Sequence, residues 1–196
     1  MENRKRQYSR KMIEEAFISE LRTKPLDKIS IVQICKLADV NRSTFYANYL
    51  DVYDLMNQVS QKFFEKLFYK SVEQLGAPNP NGKKDSVRLV EQAIYATLEE
   101  KELCALLGGS FHSGSFTDKL LDILLDWSTE RYMAYSGKDP VRFRVENTMV
   151  MGGALVLWRR WIEGGFRESP ELVISAVHRF VEANTARVWN HTSHCD

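Results

Sequence analysis

The stretch that most limits what this chain can become is SIVQICKLADVNRSTFYANYLDVYDL, from Ser30 to Leu55. Ser30 stands three residues before Gln33, the spacing of a capping box, in which each side chain satisfies an orphan N–H of the other's backbone. A short helix therefore starts there, with Ile31, Ile34, Cys35 and Ala38 as its buried stripe. That places Cys35 in the core as a small apolar residue rather than at the surface as a redox switch. The run Ala38-Asp39-Val40-Asn41 must then reverse the chain. Asp39 falls where a positive φ is needed, which Asp tolerates better than most residues. Val40 can plug the angle between the two helices, and Asn41 stands where it can cap the second.

That second helix spans Arg42 to Tyr49. With side chains turning by about 100° per residue, Phe45 and Tyr49 point inward together. Ser43, Thr44, Tyr46 and Ala47 then face outward, with Arg42 and Asn48 at the margins. The outward face is compact and rich in hydrogen-bonding groups. Ala47 keeps it low enough to enter a major groove about 12 Å wide, where Arg, Ser, Thr and Asn side chains pair with base edges. The plainer reading is a polar helix face that only meets water. Taken together, helix, tight turn and helix make a helix-turn-helix pattern, whose natural partner is double-stranded DNA.

Charge is distributed to match. The formal net charge is only +1, yet residues 1–48 hold ten Lys/Arg against six Asp/Glu, and residues 49–196 hold seventeen against twenty. A basic front joined to a mildly acidic remainder suits an end that faces nucleic acid. From Tyr8 to about Lys24, the apolar residues Tyr8, Met12, Ile13, Ala16, Phe17 and Leu21 fall at helical spacing, and Pro25 stops the helix. Arg4, Lys5, Arg6, Arg10 and Lys11 cluster at its start, where cations oppose the helix dipole and gain nothing locally. They either meet phosphate or form a solvated tail.

After the second helix, a long amphipathic helix is expected from Asp51 to about Leu75, with Leu55, Val59, Phe63, Leu67 and Phe68 on its inner side. The segment Gly76 to Lys84 is dense in Gly, Pro and Asn and reads as a loop. Further helices are expected over Val87–Glu99, Lys101–Leu107 with a stop at Gly108-Gly109, Phe116–Tyr135, Pro140–Gly164 and Pro170 to about Asn190. The two prolines sit at the helix position they favour. No strand is expected, so the fold class is all-α.

Other chemistries find little support. No apolar run reaches the roughly 20 residues of a membrane span, and the charged N-terminus is unlike a signal peptide, which implies the cytoplasm. Cys35, Cys104 and Cys195 are odd in number and lack CxxC spacing. His191, His194 and Cys195 crowd the last residues without a second ligand cluster, so no metal site is expected. No nucleophile elbow, HExxH or Ser-His-Asp pattern occurs, so no enzyme and no cofactor are expected.

The span from about Tyr8 to Leu67, and ADVNRSTFYANYLDVYDL above all, resembles the N-terminal domain of TetR/AcrR-type transcriptional regulators. MGGALVLWRRWIEGGFRESPELVISAVHRFV, Met151 to Val181, is similar to the C-terminal domain of the Firmicutes members, through Gly152-Gly153, Trp158, Trp161, Gly165 and the Ser169-Pro170-Glu171-Leu172 helix start. The resemblance implies a DNA-binding head over residues 1–50 and a ligand-binding and dimerisation body over residues 51–196. It puts DNA contacts on Arg42, Ser43, Thr44, Tyr46 and Asn48. Many relatives have a phosphate-gripping Lys where this chain has Val52, so that contact is either absent or supplied by Tyr53 or Asn57. Many also have Gly where Asp39 stands. The last two long helices are implied to form a homodimer, with Gly152 and Gly153 allowing close approach.

A pocket in the body is implied as well. Its candidates are Phe63, Tyr95, Cys104, Phe111, Trp127, Met149 and Trp158, with few charges at hand, so the effector would be small and mainly apolar. The function this implies is a repressor released from a pseudo-palindromic operator when ligand shifts the long helix. The alternative is a co-regulator or activator of the same fold that acts through a protein partner.

Overall fold

The computed structural model of the chain describes residues 4–75, 83–108, 114–135 and 139–190. Among them lie nine α-helices and no strand: α1 (Arg4–Leu21), α2 (Ile31–Leu37), α3 (Arg42–Tyr46), α4 (Val52–Glu73), α5 (Lys83–Glu99), α6 (Lys101–Leu107), α7 (Gly114–Tyr135), α8 (Pro140–Glu163) and α9 (Pro170–Asn190). The chain divides into two compact units, Met1–Lys62 and Phe63–Asp196. The division falls inside α4 rather than at residue 50, because Val52, Leu55, Met56 and Val59 at the start of α4 are buried residues of the first unit.

In the first unit α1 packs on α2 and α2 on α3. Its centre is made by Ile13 and Phe17 of α1, Ile34 of α2, Phe45 of α3 and Leu55 of α4, all fully buried. Burial of one such side chain contributes about 1.5–3 kcal/mol. The capping box forms as expected: the Ser30 hydroxyl accepts from the Gln33 N–H at 3.3 Å, and the Gln33 side chain accepts from the Ser30 N–H at 3.3 Å. Asp39 has φ 51°, the left-handed conformation anticipated for the turn. The Val40 N–H donates to the Cys35 carbonyl at 3.0 Å, closing the six-residue loop of a Schellman motif around Asp39.

Three local expectations differ. First, α1 begins at Arg4 rather than Tyr8, so the basic cluster lies on the helix itself. Second, Asn41 has N-cap backbone geometry, but its side chain makes no capping hydrogen bond. Third, α3 ends at Tyr46, with Ala47 as its C-cap, rather than at Tyr49. The Asn48 side-chain amide donates to the Thr44 carbonyl at 2.7 Å, which is the acceptor its own backbone N–H would have used in a longer helix.

In the second unit α7 packs against α8, and α5 and α8 both pack against α9. The Asp139 carboxylate caps α8 by accepting from the Arg142 N–H at 2.9 Å, with Pro140 opening the helix. At the other end of α8, Gly165 has φ 75° and Phe166 φ 59°. The Gly165 N–H donates to the Ile162 carbonyl at 3.0 Å and the Phe166 N–H to the Trp161 carbonyl at 2.9 Å. Phe166 also meets Trp161 edge to face at 5.0 Å, so this turn has both the hydrogen bonds and the apolar contact of a Schellman motif. α5 starts at Lys83 and α7 at Gly114, both earlier than expected, so Lys83 and Lys84 belong to a helix rather than to the preceding loop. The rest of that loop, Gly109 and Phe111 lie outside the described residues.

The left-handed Asp39 gives a test of the turn. Asp39→Val should destabilise the first unit by about 1–2 kcal/mol, because a β-branched side chain is costly at positive φ, whereas Asp39→Gly should leave stability unchanged or raised. Denaturant unfolding followed by circular dichroism checks this; equal stability of the two variants would contradict the turn geometry.

Candidate nucleic-acid interface and body cavity

The outward face of α3 is built by what is buried beneath it. Phe45 is fully buried and Tyr49 nearly so, their rings 5.6 Å apart. The Tyr49 hydroxyl donates to Glu14 Oε1 at 3.1 Å, while the Arg10 guanidinium lies 5.7 Å from the Tyr49 ring centre. Burial first, and the Glu14 carboxylate second, push the Tyr49 hydroxyl up to about 12, against the pull of Arg10. Tyr49 therefore stays protonated as a donor. Glu14 also accepts from Lys62 Nζ at 2.7 Å.

With those two rings inward, Arg42, Ser43 and Tyr46 are exposed, Tyr46 by 58%, and Thr44 and Asn48 are half-buried. Tyr53 on the first turn of α4 is also exposed, by 60%, while Val52 beside it is buried and has no access to a backbone phosphate. The start of α4 is tied down by Asp51 and Asp54. Asp51 accepts from the Asp54 N–H at 2.7 Å, and Asp54 accepts from the Leu50 N–H at 2.9 Å and from the Gln58 side chain at 3.0 Å. The Cys35 thiol is pushed up by burial, opposed by Arg42, as suits a core residue.

The basic residues of α1 do more locally than their position in the sequence suggests. Arg6 Nε donates to Asn48 Oδ1 at 3.0 Å, and Arg6 Nη2 donates to the Ala47 carbonyl at 3.0 Å. A cation at a helix start is poorly placed for its own helix, but here it meets the open carbonyl end of α3, where positive charge is favoured. Arg10 Nη2 donates to Gln58 at 3.3 Å. Asn48 thus has both ends of its amide engaged inside the unit, one with Arg6 and one with Thr44. These pairings join residues more than forty apart in sequence, and no local pattern announces them. Leu50, exposed at the turn between α3 and α4, is a further surface residue that the sequence pattern passed over.

In the second unit a cavity of about 90 Å³ lies among the later part of α4 and helices α5, α7, α8 and α9. Of the expected pocket residues, Trp158 lines it, edge to face with Phe64 at 5.4 Å. The other candidates among the described residues are placed elsewhere. Phe63 stands 5.0 Å from Phe64 but off the wall. Tyr95 and Met149 point outward, each one helical step away from a buried neighbour, Ile94 and Val150. Cys104 is sealed in the core, its thiol pushed up to about 12 by burial first and Glu100 second. Trp127 packs on Phe68 at 6.2 Å with Arg131 over its ring at 4.8 Å. The wall is instead built mostly from aliphatic residues such as Leu67, Leu89, Leu124 and Leu155. Among the described residues, no cluster of His, Cys, Asp or Glu is arranged to hold a metal ion, and no helix is long and apolar enough to cross a membrane.

No protein-family model matches the chain, and no curated protein matches it. Its fold is similar to that of the fatty acid degradation regulator FadR from Bacillus halodurans, with TM-score 0.61 and 15% identity over 88% of this chain and 94% of that one. At that identity the likeness is one of fold.

The Arg6 brace can be tested directly. Arg6→Ala should lower the melting temperature of the first unit's transition by a few degrees. Arg6→Lys should recover only part of the loss, because an ammonium lacks the planar fork that reaches two acceptors at once. Full recovery by Lys would mean that charge alone, and not the two hydrogen bonds, holds the end of α3.

Proposed function

We propose that the chain is a DNA-binding transcriptional regulator of the TetR/AcrR type, a homodimeric repressor whose release from its operator is driven by a small, mainly apolar ligand. The observation that carries this reading is the outward face of α3. Arg42, Ser43 and Tyr46 are exposed together on a helix held by a capping box, a left-handed turn and two buried aromatic rings. In this reading Arg42, Ser43, Thr44 and Tyr46 contact bases and phosphates, and Tyr53 adds a contact from the start of α4. Asn48, engaged at both ends of its amide, holds the face in place. The fold-level likeness to a regulator supports the same direction.

In this reading the dimer forms through α8 and α9. Val141, Val145 and Met149 recur at four-residue intervals along α8 and are 74%, 66% and 78% exposed, with Leu172 and Phe180 of α9 also exposed. An exposed apolar row of this kind along α8 suits an interaction surface. A Cβ at Gly152 would meet nothing within 4 Å among the described residues, so its cost of about 1 kcal/mol in a helix has no explanation among them. Close approach of a second copy supplies one. A twofold dimer addresses a pseudo-palindromic operator, and ligand causes release only by binding the released state more tightly than the DNA-bound state.

Operator selection from the intergenic DNA beside the gene, at two salt concentrations and with and without ligand, tests the whole reading. Binding that needs a partner protein would favour a co-regulator instead. Tyr46→Ala should cost about 1–3 kcal/mol of operator affinity and relax sequence preference; unchanged affinity removes Tyr46 from the reading face. Met149→Glu should convert dimer to monomer in sedimentation, and a variant that stays dimeric would move the interface away from this face of α8.

A further inference from the structure

A surface groove between α8 and α9 has the form of a seat for one side chain. Gly153 and Leu157, one turn apart on α8, border it together with Ala176 and Phe180, one turn apart on α9, and Ala154 and Val177 complete its lining. The groove is open and apolar, with a volume of about 280 Å³. Gly153 keeps it open, since a Cβ there would lie 3.4 Å from the Phe180 ring. Four residues around such a gap make a hole of the kind that takes a knob from a facing helix.

The side chain that suits it comes from α8. At about 100° per residue, Arg142, Met149, Gly153, Val156, Arg160 and Glu163 lie within about 40° of one line along the helix. Met149 is the most exposed apolar residue of that helix, at 78%. Its flexible thioether adapts to an irregular hole better than a branched side chain does. In its own chain it points to solvent, which leaves the groove to a second copy.

Charge selects the direction in which that copy approaches. One end of the line carries Arg142, ion-paired with Glu146 at 2.9 Å, and the other carries Arg160 and Glu163, the latter paired with Arg159 at 3.9 Å. Two α8 helices crossing antiparallel at Gly152-Gly153 bring Arg142 level with the partner's Glu163 and Glu146 beside the partner's Arg160. The same crossing sets Met149 level with the partner's Val156, next to the groove. Parallel helices crossing at that point would instead oppose Arg142 to the partner's Arg142 and Glu163 to the partner's Glu163. Like charges so opposed weaken association, whereas opposite charges fix the register. A twofold axis makes the contact reciprocal.

Resting on the reading of the chain as a homodimer through α8 and α9, we propose that two α8 helices pair antiparallel across Gly152-Gly153. Met149 of each copy sits in the groove of the other, and the Arg142–Glu146 pair of each faces Arg160 and Glu163 of the other.

Disulfide trapping in the full-length protein tests this, with Cys195→Ser throughout and Cys35 and Cys104 buried. Positions 149 and 156 lie about 10 Å apart along one helix, too far for a bond within a chain or between like positions of antiparallel copies. The double variant Met149→Cys, Val156→Cys should therefore give a disulfide-linked dimer, and either single variant none. Gly153→Leu fills the groove and should weaken the dimer in sedimentation at least about tenfold with helix content retained in circular dichroism, because leucine is the better helix former. Arg142→Glu and Glu163→Arg should each weaken it about threefold to tenfold, and combined should restore it to within about threefold. Single variants that cross-link would show parallel helices and overturn the inference, leaving the dimer standing. A dimer that the double variant fails to trap, that Gly153→Leu leaves unchanged, or whose charge reversals do not rescue each other would overturn it likewise. If the wild-type protein sediments as a monomer, both the inference and the homodimeric reading fall.

Discussion

Burial of Phe45 and Tyr49 is the constraint on which the first unit depends. α3 is only five residues long and cannot hold an orientation by its own hydrogen bonds. The two rings act as its anchor, and whichever residues lie opposite them become the outward face. Tyr49 does a second job through its polar end, since its bond to Glu14 and the Arg10 guanidinium over its ring draw α1 to the end of α3. Arg6 completes that link by closing the carbonyl end of α3. The helix is thus placed by side chains from outside it, which lets its exposed side be polar without loss of definition.

The second unit uses a related economy at its helix ends and a different one in its interior. Both the α2–α3 and α8–α9 turns end a helix with a left-handed residue and a six-residue backbone loop, at Asp39 and at Gly165-Phe166. In the interior, several polar groups are satisfied within the protein: Asn147 donates to Ser128 at 2.7 Å, Trp158 to Thr97, and Ser71 to Leu67. Hydrogen bonds of that kind keep buried polar atoms from destabilising the core.

Much of the first unit was legible because its signals are local. The Ser30–Gln33 box, the left-handed Asp39 and the inward Phe45 and Tyr49 each follow from spacing of a few residues. The same holds for the starts of α8 and α9 at Pro140 and Pro170. The cavity was not legible in the same way. Aromatic and soft residues in body helices could each be core, wall or surface, and one helical step separates exposed Tyr95 from buried Ile94 and exposed Met149 from buried Val150. Of the described candidates only Trp158 meets the cavity, while the aliphatic residues that form most of its wall carry no mark in sequence that distinguishes them from ordinary core.

By itself, the sequence determined an all-α chain, the helix-turn-helix pattern, the turn chemistry and the two buried rings under α3. These depend on backbone propensities and helical periodicity, which act between near neighbours. Only the tertiary structure decided that Arg6 and Arg10 serve the first unit internally, that Asn48 is engaged on both sides, and that Trp158 lines the cavity with its donor already used. Those outcomes rest on pairings across tens of residues, as in Arg6 with Asn48 and Trp158 with Thr97, or on a helix's rotation against several neighbours at once. Neither is encoded in any short window of the chain.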